Sequence, residues 1–579
     1  MSPHRKPDIF REIKQTKSYK ADCNCPSTSF GIAFLFLFLL IAFISNPVSA
    51  QLSSPGIPYS FSHGLPPVTR DLLLVSAPDT ARLHDEDARN PVPYRFAVNI
   101  PVNADFNNSG ISEMMDEGTR VWRLTLKSPG ALALTLYFDR FRLPAGGKLF
   151  VYNPIRTRLQ GAFTAENNNS LSTFATSLIT GDEITLEYNA PSYTELPELR
   201  ISEVAHAYRG ISFPDAPQTG FGASGKCQVN TACIEGIDWQ KQKRSVVRLE
   251  VKKGSSTLWC TGSLVNNTRN DGTPYVLTAD HCGRYATASD VSKWVFYFDY
   301  QSPVCENPTS EPAYRSITGA LPVAHGGNAG STGSDFYLVR LIPAIPDSFN
   351  VYFNGWNRET TPSPSGVSIH HPEGDIKKIS TYTAPAQAAY WPGCTALAHW
   401  RVSWAETING HGTTEPGSSG SPLFDNQGRL VGTLTGGDSA CDTNHISLPD
   451  YYGMFSYSWD QNGTDSASVL KCWLDPIQSG VTTLNGWALG IAVPENTADI
   501  SIFPNPVASE LNIQVNGAMS RNLTVAVVNI LGETLISEQF RIDQANGTKI
   551  GVAGLPEGVY LVKIFDGKRQ IVKKIVKKD

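Results

Sequence analysis

Glu415-Pro416-Gly417-Ser418-Ser419-Gly420-Ser421-Pro422 is the stretch from which the rest of the chain is read. Glycines on either side of a serine pair let the backbone bend sharply and leave room for a group to approach the main chain. Such a turn holds the Ser419 hydroxyl in the open, and the amides of Gly417 and Ser419 can converge on one oxyanion. Gly/Ser/Pro runs are common turns, so the stretch alone only suggests chemistry.

It gains force from two other segments. Thr278-Ala279-Asp280-His281-Cys282-Gly283 lies upstream, and Gly333-Ser334-Asp335-Phe336-Tyr337-Leu338-Val339 lies between the two. A serine hydroxyl is a weak nucleophile near neutral pH and needs a base within hydrogen-bond reach, itself oriented by a third group. We assign Ser419 as nucleophile, His281 as general base and acid, and Asp335 as the residue that orients His281 and stabilises its imidazolium. His, then Asp, then Ser is the chain order of a chymotrypsin-type triad.

The whole chain sets the frame. Its 579 residues exceed one core, which implies three or more domains. With 41% hydrophobic and 17% charged residues it reads as folded rather than disordered. A net charge of -5 lacks the basic field of a nucleic-acid binder. Plentiful Gly and Pro between strand-like runs indicate a mostly β protein.

Phe30 to Ile44 is an apolar run preceded by basic residues and followed by Val48-Ser49-Ala50. It is shorter than the roughly 20 residues of a spanning helix, and reads as a signal peptide (1–50) cleaved after Ala50, with no stable transmembrane segment afterwards. Of ten cysteines, Cys23 and Cys25 precede that point, and the other eight fall between Cys227 and Cys472. An even, clustered set in an exported chain reads as disulfides. No cysteine pair there has zinc-ligand spacing, and the adjacent His370 and His371 would point apart on a strand, so neither metal nor cofactor is expected.

Residues 51–221 lack cysteine and hold alternating runs such as 131–138 and 148–152, which we read as a β-rich propeptide. Residues 222–487 carry every candidate catalytic group and suffice for two packed six-stranded barrels. Ser466 to Leu474 reads as a closing helix stopped by Asp475-Pro476. Residues 488–497 form a linker, and 498–579 have the pattern of a small β-sandwich.

Segment 222–487 resembles the lysyl endopeptidase family of chymotrypsin-like serine proteases. The likeness is carried by 278–283, Ser334-Asp335-Phe336, Ile369-His370-His371-Pro372, 375–380, Trp400-Arg401-Val402-Ser403-Trp404 and 415–422. It implies a double β-barrel with the site in the cleft, a mature start at Gly222, and disulfides Cys227–Cys441, Cys233–Cys305 and Cys260–Cys282. Cys394 and Cys472 are left over. Asp450 keeps the family's spacing of nine residues after the cysteine matching Cys441, which implies a pocket-floor carboxylate selecting lysine. Two carboxylates repel, which disfavours a glutamyl specificity.

The chain departs from the family's best-known members at Thr435, where they carry a histidine, and this puts any property linked to that histidine in doubt. Ser418 offers no charge to a new N-terminus, so activation through the residue before the nucleophile is not expected. The propeptide is then expected to assist folding or cover the cleft. Phe221-Gly222 also lacks the lysine that self-cleavage would need.

Residues 498–579 resemble the type A sorting domain of the type IX secretion system, through Pro504-Asn505-Pro506, Leu555-Pro556-Glu557-Gly558-Val559-Tyr560 and the Lys-rich end. This implies secretion or surface attachment in a Gram-negative bacterium, with the secretion machinery as partner. The function read from the sequence is a secreted serine endopeptidase of protein or peptide substrates, cutting after lysine. The alternatives are a broader Lys/Arg protease and a non-catalytic β-rich adhesion or binding protein.

Overall fold

The computed structural model describes residues 53–68, 72–90, 93–209, 221–489, 500–515, 522–529, 533–541, 548–565 and 570–578. The signal segment, Cys23, Cys25 and most of the linker lie outside the described residues. The chain divides into two units, at Trp487 and Ala488.

The first barrel is closed by strand pairing. Val246–Lys253 pairs with Ser256–Leu264, which pairs with Tyr275–Thr278, and that strand pairs with Phe336–Leu341. Phe336–Leu341 continues to Ala320–Gly326, while Arg315–Thr318 returns to Val295–Phe298 and so to Val246–Lys253. Arg315–Gly326 thus acts as one strand bent between two partners. The bend is Gly319, whose φ of +95° is open to glycine and strained for other residues.

The second barrel contains Gly366–His370, Lys378–Tyr382, His399–Val402, Pro422–Asp425, Leu430–Gly437 and Asp450–Met454. Neighbours pair antiparallel, and the Ala405 amide donates to the Thr381 carbonyl at 2.8 Å to complete the ring. The fold is the mostly β double barrel expected. The helix expected over 466–474 is shorter: only Lys471–Leu474 is helical. Ser468 turns back through its amide and hydroxyl onto the Asp465 carbonyl, at 3.1 and 3.0 Å, and this local bonding competes with a helical turn.

Residues 53–209 form a β-sandwich with its own apolar core, including Trp122, Leu134, Phe138, Leu149, Leu186 and Val204. Its strand Tyr94–Asp105 pairs with Ser256–Leu264, in register Val98–Ser256 and Tyr94–Trp259, so one sheet runs from sandwich into barrel. Phe96 stacks on Trp259 with centroids 4.0 Å apart, and burying an aromatic ring of this kind stabilises by about 1.5–3 kcal/mol. Polar groups cross the same boundary. The fully buried Glu250 accepts from Thr135 of the sandwich at 2.7 Å and from Tyr297 of the barrel at 2.6 Å. Burial raises its carboxyl to about 7, against the pull of these hydroxyl donors.

The C-terminal unit has a three-stranded sheet, Ile500–Phe503, Glu510–Val515 and Thr548–Gly551. A four-stranded sheet is built from Asn522–Val528, Thr534–Arg541, Gly558–Phe565 and Gln570–Lys577. Leu511, Ile513, Val525, Val527, Val562 and Ile564 lie in a shared core, as in a small sandwich.

Candidate active site

Tyr275–Thr278 delivers the chain to a single helical turn, Asp280–Gly283, which presents His281. The Cys260–Cys282 disulfide ties this turn to the neighbouring strand. The other two disulfides, Cys227–Cys441 and Cys233–Cys305, are also formed. Cys394 is buried and Cys472 exposed, and no disulfide joins them.

Asp335 immediately precedes Phe336–Leu341 and has no solvent exposure. Its Oδ1 accepts from the His281 amide at 3.0 Å and its Oδ2 from His281 Nδ1 at 2.8 Å. Two bonds fix both the loop and the ring. Burial alone would raise the Asp335 carboxyl, but the charge of His281 and the hydrogen bonds from its ring and amide outweigh this and hold it below the usual carboxylate range. With Nδ1 donating to Asp335, Nε2 is the acceptor face of the neutral ring, and it has no partner among the described residues.

Ser419 is 5% exposed. Its carbonyl accepts from the Thr261 amide at 2.8 Å and lies 3.9 Å from Cys282 Sγ, next to His281. No hydrogen bond joins Ser419 Oγ to His281 Nε2 among the described residues. The structure therefore brings His281 and Asp335 together directly, and brings Ser419 to them through the disulfide-braced backbone.

The serine loop is held from behind. Gly420, at φ +80°, abuts the histidine loop so closely that a Cβ would lie 2.1 Å from Thr278 Oγ1 and 2.6 Å from both Ala279 N and Thr261 O. Gly417, at φ +94°, lies against the turn 371–374, where a Cβ would meet Gly374 N at 2.9 Å. The amides of Ser418, Gly420 and Ser421 are used, by Glu415, Leu434 and Ser418 carbonyls. Those of Gly417 and Ser419 bond no acceptor among the described residues.

Asp450 opens the strand Asp450–Met454 and has no solvent exposure. Its Oδ2 accepts from Trp404 Nε1 at 2.6 Å, Ser439 Oγ at 2.7 Å and Thr414 Oγ1 at 2.8 Å. Burial raises its carboxyl while these donors oppose the shift. All are neutral, and no cation of the described residues pairs with it. Gly437 packs directly on this carboxylate, since a Cβ there would lie 2.1 Å from Oδ1.

Sequence reasoning missed three groups. His370, wholly buried, links Ser418 Oγ through Nδ1 at 2.8 Å to Ser380 Oγ through Nε2 at 3.0 Å, and burial lowers its pKa to about 3. It therefore braces the serine loop as a neutral ring. His371 bonds the Asp375 carbonyl through Nδ1 at 2.8 Å. His399 reaches Thr435 Oγ1 through Nε2 at 3.1 Å, and burial lowers its pKa to about 4. Both histidines of the 370–371 pair sit in a quoted motif, but nothing local says which partners they meet.

Comparisons with known proteins agree with two of these segments. Residues 221–453 match the family model described as lysyl endopeptidase, C-terminal domain, and residues 501–578 match the secretion system C-terminal sorting domain. A lysyl endopeptidase of Pseudomonas aeruginosa is 28% identical over 295 residues, covering 49% of this chain and 61% of that protein. The chain thus spans about three fifths of that relative's length. Among solved structures, the protease Anisep of Arthrobacter nicotinovorans gives a TM-score of 0.27 at 16% identity, covering 39% of this chain and 93% of that one. A Glu endopeptidase gives 0.25 at 18%, covering 40% and 93%.

Proposed function

We propose that residues 222–487 form a secreted serine endopeptidase that cleaves peptide bonds on the carboxyl side of lysine. The observation that carries this reading is the doubly bonded His281–Asp335 pair beside a serine loop with two unclaimed amides. In this mechanism a substrate carbonyl enters between Ser419 and the Gly417 and Ser419 amides. His281 Nε2 takes the Ser419 proton as Oγ adds to the carbonyl carbon, and the two amides receive the oxyanion. Asp335 stabilises the imidazolium so formed. His281 then returns the proton to the leaving amine, and water repeats the sequence on the acyl-enzyme.

The lysine preference rests on Asp450. A buried carboxylate held by an indole, two hydroxyls and an amide lacks a counter-ion among the described residues, and a substrate ammonium supplies one. A substrate without a cation leaves that charge unpaired. We further propose that 51–221 is a propeptide and that 498–579 is a type IX export signal of a Gram-negative cell, separable from the chemistry.

The test is digestion of a lysine- and arginine-containing protein by the secreted chain, with cuts mapped by mass spectrometry. Cuts mainly after lysine support the reading. Equal cutting after arginine removes the lysyl label, and an intact substrate favours a non-catalytic binding protein.

A further inference from the structure

The backbone amide of Gly222 donates to Asp375 Oδ1 at 2.8 Å. Asp375 is 1% exposed, and its other donors are the Ile376 amide at 2.7 Å and the Ser224 hydroxyl and amide. Every one of these donors is neutral. The adjacent cations donate their hydrogen bonds elsewhere, Lys377 Nζ to the Lys243 carbonyl at 2.6 Å and Lys378 Nζ to Asn230 and Asn307 at 2.9 and 2.8 Å, and Lys378 acts on Asp375 only through space. A buried carboxylate bonded only by neutral groups gains when a cation arrives at one of its donors.

Asp375 also belongs to the turn that supports the serine loop. Its amide bonds the Pro372 carbonyl at 2.8 Å, and the Glu373 amide bonds the Pro416 carbonyl at 2.6 Å. Thr261 Oγ1 ties the two sides, accepting from the His371 amide at 3.1 Å and donating to the Gly417 carbonyl at 2.9 Å. Glu373 sits in this turn at φ +53°, a conformation that non-glycine residues hold only when their surroundings impose it. From the sandwich side, Tyr94 hydrogen-bonds the Glu373 carboxylate and Arg209 lies within electrostatic reach of it.

We propose that cleavage of Phe221–Gly222 makes Gly222 the mature N-terminus and that its α-ammonium becomes the counter-ion of Asp375, fixing turn 371–375 and hence the Gly417 amide of the oxyanion hole. Hydrolysis adds one water to the amide bond, leaving a carboxylate on Phe221 and an ammonium on Gly222. The nitrogen that donates one neutral hydrogen bond before the cut carries a full charge after it, at the same place. The water is delivered by a second protease that accepts phenylalanine on the acyl side. Before the cut, Tyr94 and Arg209 support the turn from the sandwich; afterwards the N-terminal pair takes over. Asp375 is thus a positioning residue, 44 positions before the nucleophile, doing what the uncharged Ser418 cannot.

This inference rests on the protease reading. The test uses the full chain secreted and processed in its host, as wild type, as Asp375→Asn, and as a form with one alanine inserted between Phe221 and Gly222. The mature N-terminus is read by mass spectrometry, kcat and KM are measured on a lysyl peptide, and thermal unfolding is followed in parallel. We expect Gly222 as the wild-type N-terminus and a kcat lower by about 100-fold in Asp375→Asn, with KM changed less than about threefold, as when one oxyanion donor is lost. The alanine form, whose N-terminus is displaced by one residue with Asp375 intact, should lose kcat similarly while unfolding near the wild-type temperature.

A wild type that is active but starts elsewhere overturns the inference alone. So does an alanine form with wild-type kcat. An inert wild type overturns the protease reading and this inference with it.

Discussion

Replacing Asp335 by asparagine separates the chemistry of the site from its architecture. The side chains are nearly isosteric, and Asn Oδ1 can still accept from the His281 amide, which is 3.0 Å from Asp335 Oδ1. The Asn amide nitrogen, however, would face Nδ1, which then has to accept. The ring proton moves to Nε2 and removes the base that Ser419 needs. The imidazolium formed during attack also loses its carboxylate. At the observed 2.8 Å and an effective dielectric of about 20, that attraction is about 6 kcal/mol, equivalent to about four decades in rate. We therefore expect kcat/KM on a lysyl peptide to fall by about 10⁴-fold. KM should stay within about threefold, because Asp450 and the Gly417 amide are untouched. The assay is steady-state kinetics at one pH, with denaturant unfolding as the control for fold. A loss below about tenfold in a folded variant would refute the assigned role of Asp335.

Three further predictions follow from named contacts. Asp450→Asn should abolish the preference for lysine in peptide mixtures while fluorophosphonate labelling persists, and an unchanged cleavage pattern would show that Asp450 is not the selector. Gly420→Ala should cost about 2–5 kcal/mol of stability, the sum of a left-handed backbone and overlap with Thr278 and Ala279, and a wild-type denaturation midpoint would contradict this. Glu250, raised to about 7, keeps its proton in the folded state where the unfolded chain releases it. The contribution of Glu250 to stability should therefore be fully present below the ordinary Glu pKa and decline by up to about 3 kcal/mol as pH rises toward 7, so the wild type should lose stability relative to Glu250→Gln across that window. Parallel wild-type and variant curves would reject this account.

Much of the site could be read from the sequence because short motifs encode local geometry. Gly417 and Gly420 do adopt positive φ, and His281 and Asp335 do meet. The double barrel was expected from the length of 222–487 and from the family resemblance, but the closure of each barrel was not. It depends on a bend at Gly319 and on the bond between Ala405 and Thr381, and such nonlocal pairings leave no local mark. Tyr94–Asp105 alternates like a strand, yet nothing in it announces that its partner is Ser256–Leu264 of the barrel. The Gly222–Asp375 contact spans 153 residues, and the pairing of His370 with Ser418 spans 48. The helix expected at 466–474 failed because Ser468 has a competing partner in Asp465.

The whole mechanism depends on Ser419 being an activated nucleophile. It is tested most directly by treating the mature secreted protein with a fluorophosphonate and locating the adduct by peptide mass mapping. One adduct per chain is expected, on Ser419, with labelling lost when His281 is replaced by alanine. No adduct on a folded protein, or an adduct on another serine, would contradict it.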